Sequence, residues 1–591
     1  MKGVERHWYP LGPGDVGGQR DVLAAAAPKT SLPVDPLTGP KFALAGRVVT
    51  MDDAFKVIDD GVVYVDRGII VAAQGRTDVP PVGFASTAVL DTGGSIYPGL
   101  IELHNHLSYN ALGLWSPVPK LYAHRGQWPN HPDYRRLISG PMTVIGQHRD
   151  AKGNAALLAP LVRYVECKCL FGGVTTSQGI MLNSNAGVRR YYRGILRNVE
   201  QTDDLALSEA QARIADVDAK DARSFFNRLG KEDSCFLLHL SEGITPDGTT
   251  ASAARKHFLA LEVAPGEWAI NDRLAAIHSA GLLAEDFKIL GKHKGSMVWS
   301  PLSNMLLYGA TARVEEARAA GVRIGLGSDW SPSGSKNLLG ELKVAWLYSQ
   351  QMLGGRFSAQ DLLAMATRDA ARILKWDRAL GTLEAGMRAD LVVVKGKVGE
   401  PHEAFIRAKE TDISLVVING VARYGVPAAM QALGAKGEAV KIGGQGRELF
   451  LQQATSDPDV AEVTLKSAAA KLKKAFKNLK VLAANIEKPK AVRKVARMAA
   501  DAPRPIVWSL ALDEINDTGV DQRPRLPFDG PRDFTGPKLL AASAKSPPLS
   551  ALLESIELDP LTVADDPNYL ARIASEPNVP ASIRAGLAQL Y

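Results

Sequence analysis

Residues 95–106, SIYPGLIELHNH, are the stretch of sequence that most strongly indicates the fold of this chain. An apolar run introduced by Pro-Gly is typical of a buried strand. Successive side chains of a strand point to opposite faces, so His104 and His106 project from the same side. Two imidazoles spaced in this way can hold one metal ion. With 11 histidines in 591 residues, about 0.2 such pairs arise by chance, so the pair alone leaves a structural role open.

Length and composition indicate a large globular protein. A chain of 591 residues predicts about three or four structural units, of which one α/β barrel takes about 250 residues. No apolar run approaches the roughly 20 residues that span a bilayer, and the Pro- and Gly-rich N-terminus lacks the apolar segment of a secretory signal. Of the three cysteines, Cys167 and Cys169 are too close together for an ordinary disulfide. We therefore expect a cytoplasmic protein that does not enter a membrane.

Short strand patterns flank a long stretch in which strand-like and helix-like segments alternate. Strand patterns separated by Gly and Asp turns fill residues 41–92, and similar patterns return at 381–395 and 413–423. Between these flanks, seven strands can be placed. The interval 202–231 is predicted to be mainly helix, so the third or fourth strand of an eight-stranded barrel is degenerate or misassigned. Two β-rich pieces around an α/β stretch predict a TIM-like (β/α)8 barrel with a small β-sandwich formed by its flanks.

These patterns predict four parts, the last of which is a mainly helical C-terminal extension. The parts are an N-terminal arm at 1–40, a composite β-sandwich from 41–95 and 370–427, the barrel at 96–369, and the extension at 428–591. In the extension, Leu465, Leu472 and Phe476 recur at helical spacing. Eleven basic residues and one acidic residue lie in 466–497. A helix that docks by its apolar stripe and leaves its lysines in water is the commoner explanation of such a run.

Polar residues follow the predicted barrel strands at their carboxyl ends, where barrel enzymes place their active sites. They are His104, His106, His239, Glu242, His278 and Asp329. Each has a structural alternative, since a lone buried histidine such as His278 is more often a hydrogen-bonded core residue, and Asp329 can start a turn. Their recurrence at successive strand ends favours a shared site.

The motifs resemble those of the amidohydrolase superfamily, in the branch with guanine deaminase, adenosylhomocysteine deaminase and the triazine hydrolases. The resemblance covers roughly residues 41–425. It rests on PGLIELHNH from Pro98, GVTT from Gly173, HLSE from His239, IHSA from Ile277, SPLSNM from Ser300, GSD from Gly327, and ATRDAARIL from Ala366 with ADLVV from Ala389.

The resemblance implies that His104, His106, His239 and Asp329 hold one divalent metal ion with an open position for water. Zinc is expected, and Fe²⁺ or Mn²⁺ suits the same ligands. Such an ion generates hydroxide near neutral pH. In binuclear relatives a carbamylated lysine bridges two ions, and no lysine of this chain is well placed to do so. One ion is therefore expected.

The same resemblance suggests roles for the remaining polar residues. Glu242 would carry the proton of the attacking water, and His278 would polarise the substrate or stabilise the hydroxide. Asp329 would accept a proton as well as bind the metal. For Glu242 the alternative is a solvated charge on a loop.

Substrate contacts are expected from the insertion 107–143 and from residues beside the ligands. The insertion contains five aromatic residues, whose rings would stack on a flat heterocycle or simply pack the long loop down. The residues predicted to contact substrate are Trp330, Asn304, Trp128 and Arg125.

We therefore predict a metal-dependent amidohydrolase or aminohydrolase in which hydroxide attacks the carbon of a C–N bond, deaminating a cyclic amidine-like or heterocyclic compound. A first alternative keeps the site and cleaves an amide, a lactam or a carbon–halogen bond. A second is a non-catalytic barrel whose basic tail binds nucleic acid or a partner. The expected partner is a small-molecule substrate rather than nucleic acid or a membrane, and the C-terminal extension is a candidate contact of a homo-oligomer.

Overall fold

The computed structural model describes residues 39–151, 155–179, 195–202, 204–214, 216–452, 460, 462–488 and 547–591. The predicted arm at 1–40 lies almost wholly outside these residues, as does the end of the basic run after residue 488. Within the described ranges, no helix has the length and apolar character needed to cross a membrane.

The two β-rich flanks pair directly with each other. Val89–Pro98 runs antiparallel to Leu391–Lys395, with Ile96 opposite Val393. Apolar side chains from both flanks fill one core beneath the sheet, which explains why they assemble across nearly three hundred residues of intervening chain. The sheet has nine strands, Phe42–Val49, Val57–Asp66, Ile69–Gly75, Val89–Pro98, Leu391–Lys395, Ile413–Ile418, Val421–Gly425, Glu438–Ile442 and Gln445–Leu449.

The last two strands of this sheet belong to the segment that was assigned to the C-terminal extension. Glu438–Ile442 and Gln445–Leu449 form a hairpin that pairs through Gln445–Leu449 with Val421–Gly425. Both are short and carry charged residues on their exposed face, so the apolar pattern is weak. The Gly443-Gly444 pair between them is typical of a hairpin turn and was the feature of the sequence that could have indicated these two strands.

Eight short parallel strands lie between the flanks. Three form one sheet, Leu100–Glu102, Val174–Ser177 and Arg197–Asn198, and five form a second, Gln211–Arg213, Phe236–Leu240, Leu274–His278, Ser296–Trp299 and Arg323–Leu326. Backbone hydrogen bonds join the sheet edges on both sides, from Leu103 N to Leu326 O at 3.2 Å and from Ala210 N to Val199 O at 2.8 Å. The result is an α/β fold whose parallel strands end on one side.

The prediction that residues 202–231 are mainly helix was wrong in part. The interval holds the strand Gln211–Arg213 as well as the helix Ala222–Leu229. The strand has no β-branched or aromatic residue, so its local preference is helical. Parallel pairing with Phe236–Leu240 overrides that preference.

Helices cover the strands on their outer side. Their ends follow the usual chemistry: Asn337 caps one helix by accepting a hydrogen bond from Gly340 N, and Ser358 caps another through Asp361 N. The α-helices are Pro132–Tyr134, Gly140–Gln147, Leu158–Phe171, Ala222–Leu229, Arg255–Leu259, Ala284–Lys292, Pro301–Tyr308, Val314–Ala319, Leu338–Met352, Ala359–Met365, Arg368–Ile373, Pro401–Arg407, Pro427–Ala432, Leu465–Lys477, Leu479–Glu487, Leu549–Leu552, Tyr569–Ser575 and Ala581–Leu590.

Two helical pieces of the C-terminal region pack on the α/β part. Leu465–Lys477 buries its apolar stripe against Leu158–Phe171 and leaves its lysines exposed. Ala581–Leu590 packs on Leu338–Met352. Each fully buried Leu or Phe on these faces contributes about 1.5–3 kcal/mol. The amphipathic pattern therefore reflects docking to the α/β part.

Candidate active site

The predicted polar residues meet at the carboxyl ends of the parallel strands. His104 and His106 follow Leu100–Glu102 directly, and Asp329 follows the last strand by three residues. Backbone bonds tie these two ends together, from Asp329 N to His104 O at 3.0 Å and from His106 N to Asp329 O at 2.7 Å. Gly327 permits this approach, because a Cβ there would lie 2.4 Å from the Cβ of His104.

Two of the site residues have strained backbone conformations. His278 has φ of 66° and Asp329 has φ of 63°, in the left-handed region that side chains other than glycine seldom adopt. Both residues lie where a strand ends, so the turn swings each side chain across the end of the sheet. Such strain persists only where surrounding contacts impose it, and it is concentrated at functional sites.

Four donor atoms converge at this point. The Nε2 atoms of His104 and His239 are 3.1 Å apart, and those of His106 and His239 are 3.3 Å apart. Asp329 Oδ1 lies 3.3 Å from His104 Nε2 and 3.4 Å from His106 Nε2. Four ligands at about 2.0–2.1 Å from a tetrahedral metal ion are separated by about 3.3–3.4 Å. The donor set therefore fits a divalent metal ion.

The protonation states agree with that fit. Burial lowers the pKa of His104 and of His239 well below the ordinary value of histidine, so both rings are neutral and keep a lone pair. His239 Nδ1 is 3.3 Å from the carbonyl oxygen of Arg213, an acceptor that places the ring proton on Nδ1 and leaves Nε2 available for a metal. On the carboxylate, Ser303 Oγ donates to Asp329 Oδ2 at 2.5 Å, which orients Oδ1 toward the histidines.

Glu242 and His278 lie beside the four donors. The ligand atoms of His104, His239 and His278 are all within 4.8 Å of one another. Glu242 Oε2 is 3.6 Å from His278 Nε2, and its Oε1 accepts a hydrogen bond of 2.6 Å from the hydroxyl of Tyr308. Both side chains are buried. The site thus brings a carboxylate and an imidazole to the edge of the donor cluster, the group of potential metal-binding atoms from His104, His106, His239 and Asp329.

Asn304 lies behind His278. Its Oδ1 is 2.9 Å from His278 Nδ1, and its Nδ2 donates to Thr311 Oγ1 at 3.2 Å. Both ends of the amide are therefore engaged within the protein. Burial lowers the pKa of His278, an effect that the neighbouring Glu242 opposes. Because Asn304 Oδ1 engages Nδ1, the opposite ring nitrogen, Nε2, points at Glu242.

The two predicted tryptophans form one wall of the site. The Trp330 ring lies 5.8 Å from His106 and 5.7 Å from Trp128, centroid to centroid. It also contacts Tyr109 and Tyr134 from the insertion 107–143. The insertion is packed down by its own rings, as the alternative interpretation proposed, and the same packing brings it against the donor cluster.

Arg125 is buried beneath Glu242. Its guanidinium forms an ion pair with Asp216 and donates to His239 O at 3.4 Å, with Nη1 3.9 Å from Glu242 Oε2. The charge is thus matched by two carboxylates of the protein. The structure places Arg125 next to Glu242, and its predicted contact with substrate remains a prediction.

Several residues of the site were not identified from the sequence. Ser303 and Tyr308 lie on the helix Pro301–Tyr308, together with Asn304. Tyr308 comes four residues after Asn304, one helical turn along the same face. Helical spacing from Asn304 in the SPLSNM motif could therefore have indicated Tyr308. No sequence signal marked Asp216 or the Arg213 carbonyl. Both lie at the end of the short strand Gln211–Arg213 or just after it, and that strand was not predicted.

The model of the Amidohydrolase family matches residues 236–423, a range that contains His239, Glu242, His278 and Asp329. Over this range the chain is similar to the amidohydrolase family. The 5-methylthioadenosine/S-adenosylhomocysteine deaminase of Moorella thermoacetica is 26% identical over 402 residues, covering 62% of this chain and 90% of that enzyme. The S-triazine hydrolase of Gordonia rubripertincta is 31% identical over 161 residues, 26% of this chain and 34% of that protein.

The fold is also that of a solved structure. A mutant of the atrazine chlorohydrolase from Arthrobacter aurescens, crystallised with zinc and atraton, has a TM-score of 0.51 and 19% identity to this chain. The alignment covers 73% of this chain and 99% of that one. At this identity the likeness concerns the fold.

Proposed function

We propose that this protein deaminates a heterocyclic small molecule by hydrolysis, releasing ammonia from a ring carbon of amidine type. The observation that carries the proposal is the spacing of 3.1–3.4 Å that links potential ligand atoms of His104, His106, His239 and Asp329, with Glu242 next to His278. The similarity to a methylthioadenosine/adenosylhomocysteine deaminase over 90% of that enzyme supports deamination. Cleavage of an amide, a lactam or a carbon–halogen bond on the same site remains the second candidate. The shorter match to an S-triazine hydrolase supports a triazine as an alternative substrate class.

The site residues then have the following roles. His104, His106, His239 and Asp329 hold one divalent metal ion, and Zn²⁺ is our proposal because three imidazoles and one carboxylate suit it. When bound, such an ion lowers the pKa of a water ligand toward neutrality and polarises the group under attack. Glu242 takes up the proton of the attacking water on its carboxylate and passes it to the leaving nitrogen. His278 polarises the substrate or stabilises the attacking hydroxide through Nε2.

The number of metal ions follows from the lysines. Lys168 is buried and donates to Asp559 Oδ2, Ser331 Oγ and Asn110 O, so it is not free to bridge two ions. Lys220 and Lys231 are exposed. These placements support one ion.

Three further assignments are also proposed. We infer that the eight parallel strands close one TIM-like barrel, since backbone hydrogen bonds join the two sheets at both edges. We propose the four-part division of the chain with one changed boundary, since the hairpin Glu438–Leu449 joins the sheet and the extension begins after it. A cytoplasmic location is supported by three cysteines that are free and buried.

The test is metal analysis of the purified protein together with a substrate screen. Adenosine, 5′-methylthioadenosine, S-adenosylhomocysteine, guanine and aminotriazines are assayed for ammonia, cyclic amides for carboxylate, and chlorotriazines for chloride. We expect about one zinc per chain and ammonia from at least one purine or triazine. Chloride or carboxylate release without ammonia would replace deamination by the alternative chemistry, and a metal-free inactive protein would contradict both.

A further inference from the structure

One short helix carries a hydrogen-bond partner for three of the site residues. On Pro301–Tyr308, Ser303 donates to Asp329, Asn304 contacts His278, and Tyr308 donates to Glu242. The helix begins directly after the strand Ser296–Trp299, so its position is fixed by the sheet. The first two contacts orient a metal ligand and an imidazole. The third concerns the residue that moves the proton.

A second donor fixes the direction of the Tyr308 hydrogen bond. Trp128 Nε1 lies 3.0 Å from the Tyr308 hydroxyl, and that hydroxyl lies 2.6 Å from Glu242 Oε1. An indole N–H can only donate, so the tyrosine oxygen accepts from Trp128. The single hydroxyl hydrogen then points to Glu242. All three side chains are buried, and no rotation to water competes.

This direction distinguishes the two oxygens of Glu242. Oε1 is occupied as an acceptor of a short hydrogen bond, and the oxygen that faces His278 Nε2 at 3.6 Å is Oε2. Arg125 Nη1 is 3.9 Å from Oε2 and donates to His239 O at 3.4 Å, while Nη2 of the same guanidinium pairs with Asp216. A proton arriving at Glu242 therefore has one oxygen available, and it is the one turned toward the donor cluster.

We propose that Tyr308, aligned by Trp128, is a positioning residue that makes Glu242 Oε2 the proton-carrying oxygen. The inference rests on the proposed role of Glu242. It also gives Trp128 a role different from stacking on substrate, since its N–H bond is used within the protein. The proton is transferred from water to Oε2 and then to the leaving nitrogen, and Tyr308 keeps its own proton throughout.

The test compares Y308F, W128F and the double variant on the substrate found in the screen. Removing the hydroxyl should lower kcat about 10- to 100-fold, the range for residues that orient a reacting group, with KM and zinc content within about twofold of wild type. W128F should lower kcat less. Because Trp128 acts through Tyr308, the double variant should be no worse than Y308F alone. Multiplying effects, or a rise in KM alone, would overturn the proposal.

The matched control is Y97F. Tyr97 is also buried, and its hydroxyl donates to Pro401 O at 2.7 Å in the nine-stranded sheet, so the variant loses a comparable bond away from the site. Its kcat should equal that of wild type even if its stability falls.

A crystal structure of Y308F separates this inference from the proposed function. If no compound in the screen is turned over, the function fails, and the inference is judged on geometry alone. We expect the Glu242 carboxylate to rotate away from its wild-type orientation in Y308F. An unmoved carboxylate would overturn the positioning role whether or not the enzyme deaminates.

Discussion

Lys168 Nζ and Asp559 Oδ2 lie 2.5 Å apart in the interior, although 391 residues separate them along the chain. The same carboxylate oxygen is 2.7 Å from Lys336 Nζ. Lys168 also donates to Ser331 Oγ at 2.7 Å, two residues beyond Asp329. The C-terminal segment is thus part of the structure that supports the loop after the last parallel strand.

Replacing Asp559 by Asn should destabilise the protein strongly. Two buried ammonium groups would lose their shared counter-charge, and removing one partner of a buried ion pair costs about 3–5 kcal/mol. Urea unfolding measures this loss. The control is D247N, because Asp247 is 92% exposed where it pairs with Arg313 and should contribute at most about 1 kcal/mol. Equal stability of D559N and wild type would contradict a supporting role for the C-terminal segment.

Replacing Glu242 by Gln should abolish turnover while the metal stays bound. Glutamine keeps the shape and still accepts the Tyr308 hydrogen bond, but it cannot take up a proton, so a loss of about 10²–10⁴ is expected. Activity and zinc content are measured on the same preparation. E267Q removes a surface carboxylate that pairs with Arg223 and should behave as wild type. Substantial residual activity in E242Q would remove Glu242 from the mechanism.

The sequence predicts those parts of the site that follow from strand periodicity. His104 and His106 are recognisable because a strand places alternate residues on one face, and the other ligands because barrel sites lie at strand ends. The strand Gln211–Arg213 was missed because only its neighbour makes it a strand. Asp559 could not be found at all, since nothing local in the sequence says that a loop carboxylate will pair with Lys168. Contacts across the chain depend on packing that periodicity does not encode.

Removing one ligand should remove the metal and the stability that it confers. H239A deletes the imidazole that lies within 3.3 Å of both other histidine ligands, so we expect loss of zinc and a Tm no longer raised by added Zn²⁺. Wild type should show the same lowered Tm after chelation and recover it with Zn²⁺. H293A, at the end of the helix Ala284–Lys292, is the control and should bind zinc normally. Full zinc occupancy in H239A would exclude the proposed ligand set.

The contribution of Glu341 to stability should fall as the pH rises from about 5 to 7. Burial raises the pKa of Glu341 to about 7, while its ordinary value is 4.5, so the folded state holds the proton more tightly than the unfolded state. The stabilisation from protonated Glu341 is complete below the pKa that Glu341 has in the unfolded chain. It is lost as the pH rises through the pKa that Glu341 has in the folded protein. One such group changes the free energy of unfolding by up to about 1.4 kcal/mol per pH unit.

The variant E341Q isolates this contribution. Its side-chain oxygen can still accept from Leu302 N, and its amide can donate to Ser335 Oγ in place of the present hydrogen bond. In urea unfolding across pH 5–8, the stability of wild type relative to E341Q should therefore decrease as the pH rises, because only wild type loses the Glu341 contribution. Glu166, whose pKa is also raised to about 7, titrates in both proteins. The partly exposed Glu403 supplies the control E403Q, which should follow the wild-type curve. Parallel curves for E341Q and wild type would mean that Glu341 is ionised in the fold, with its charge stabilised by the donors around it.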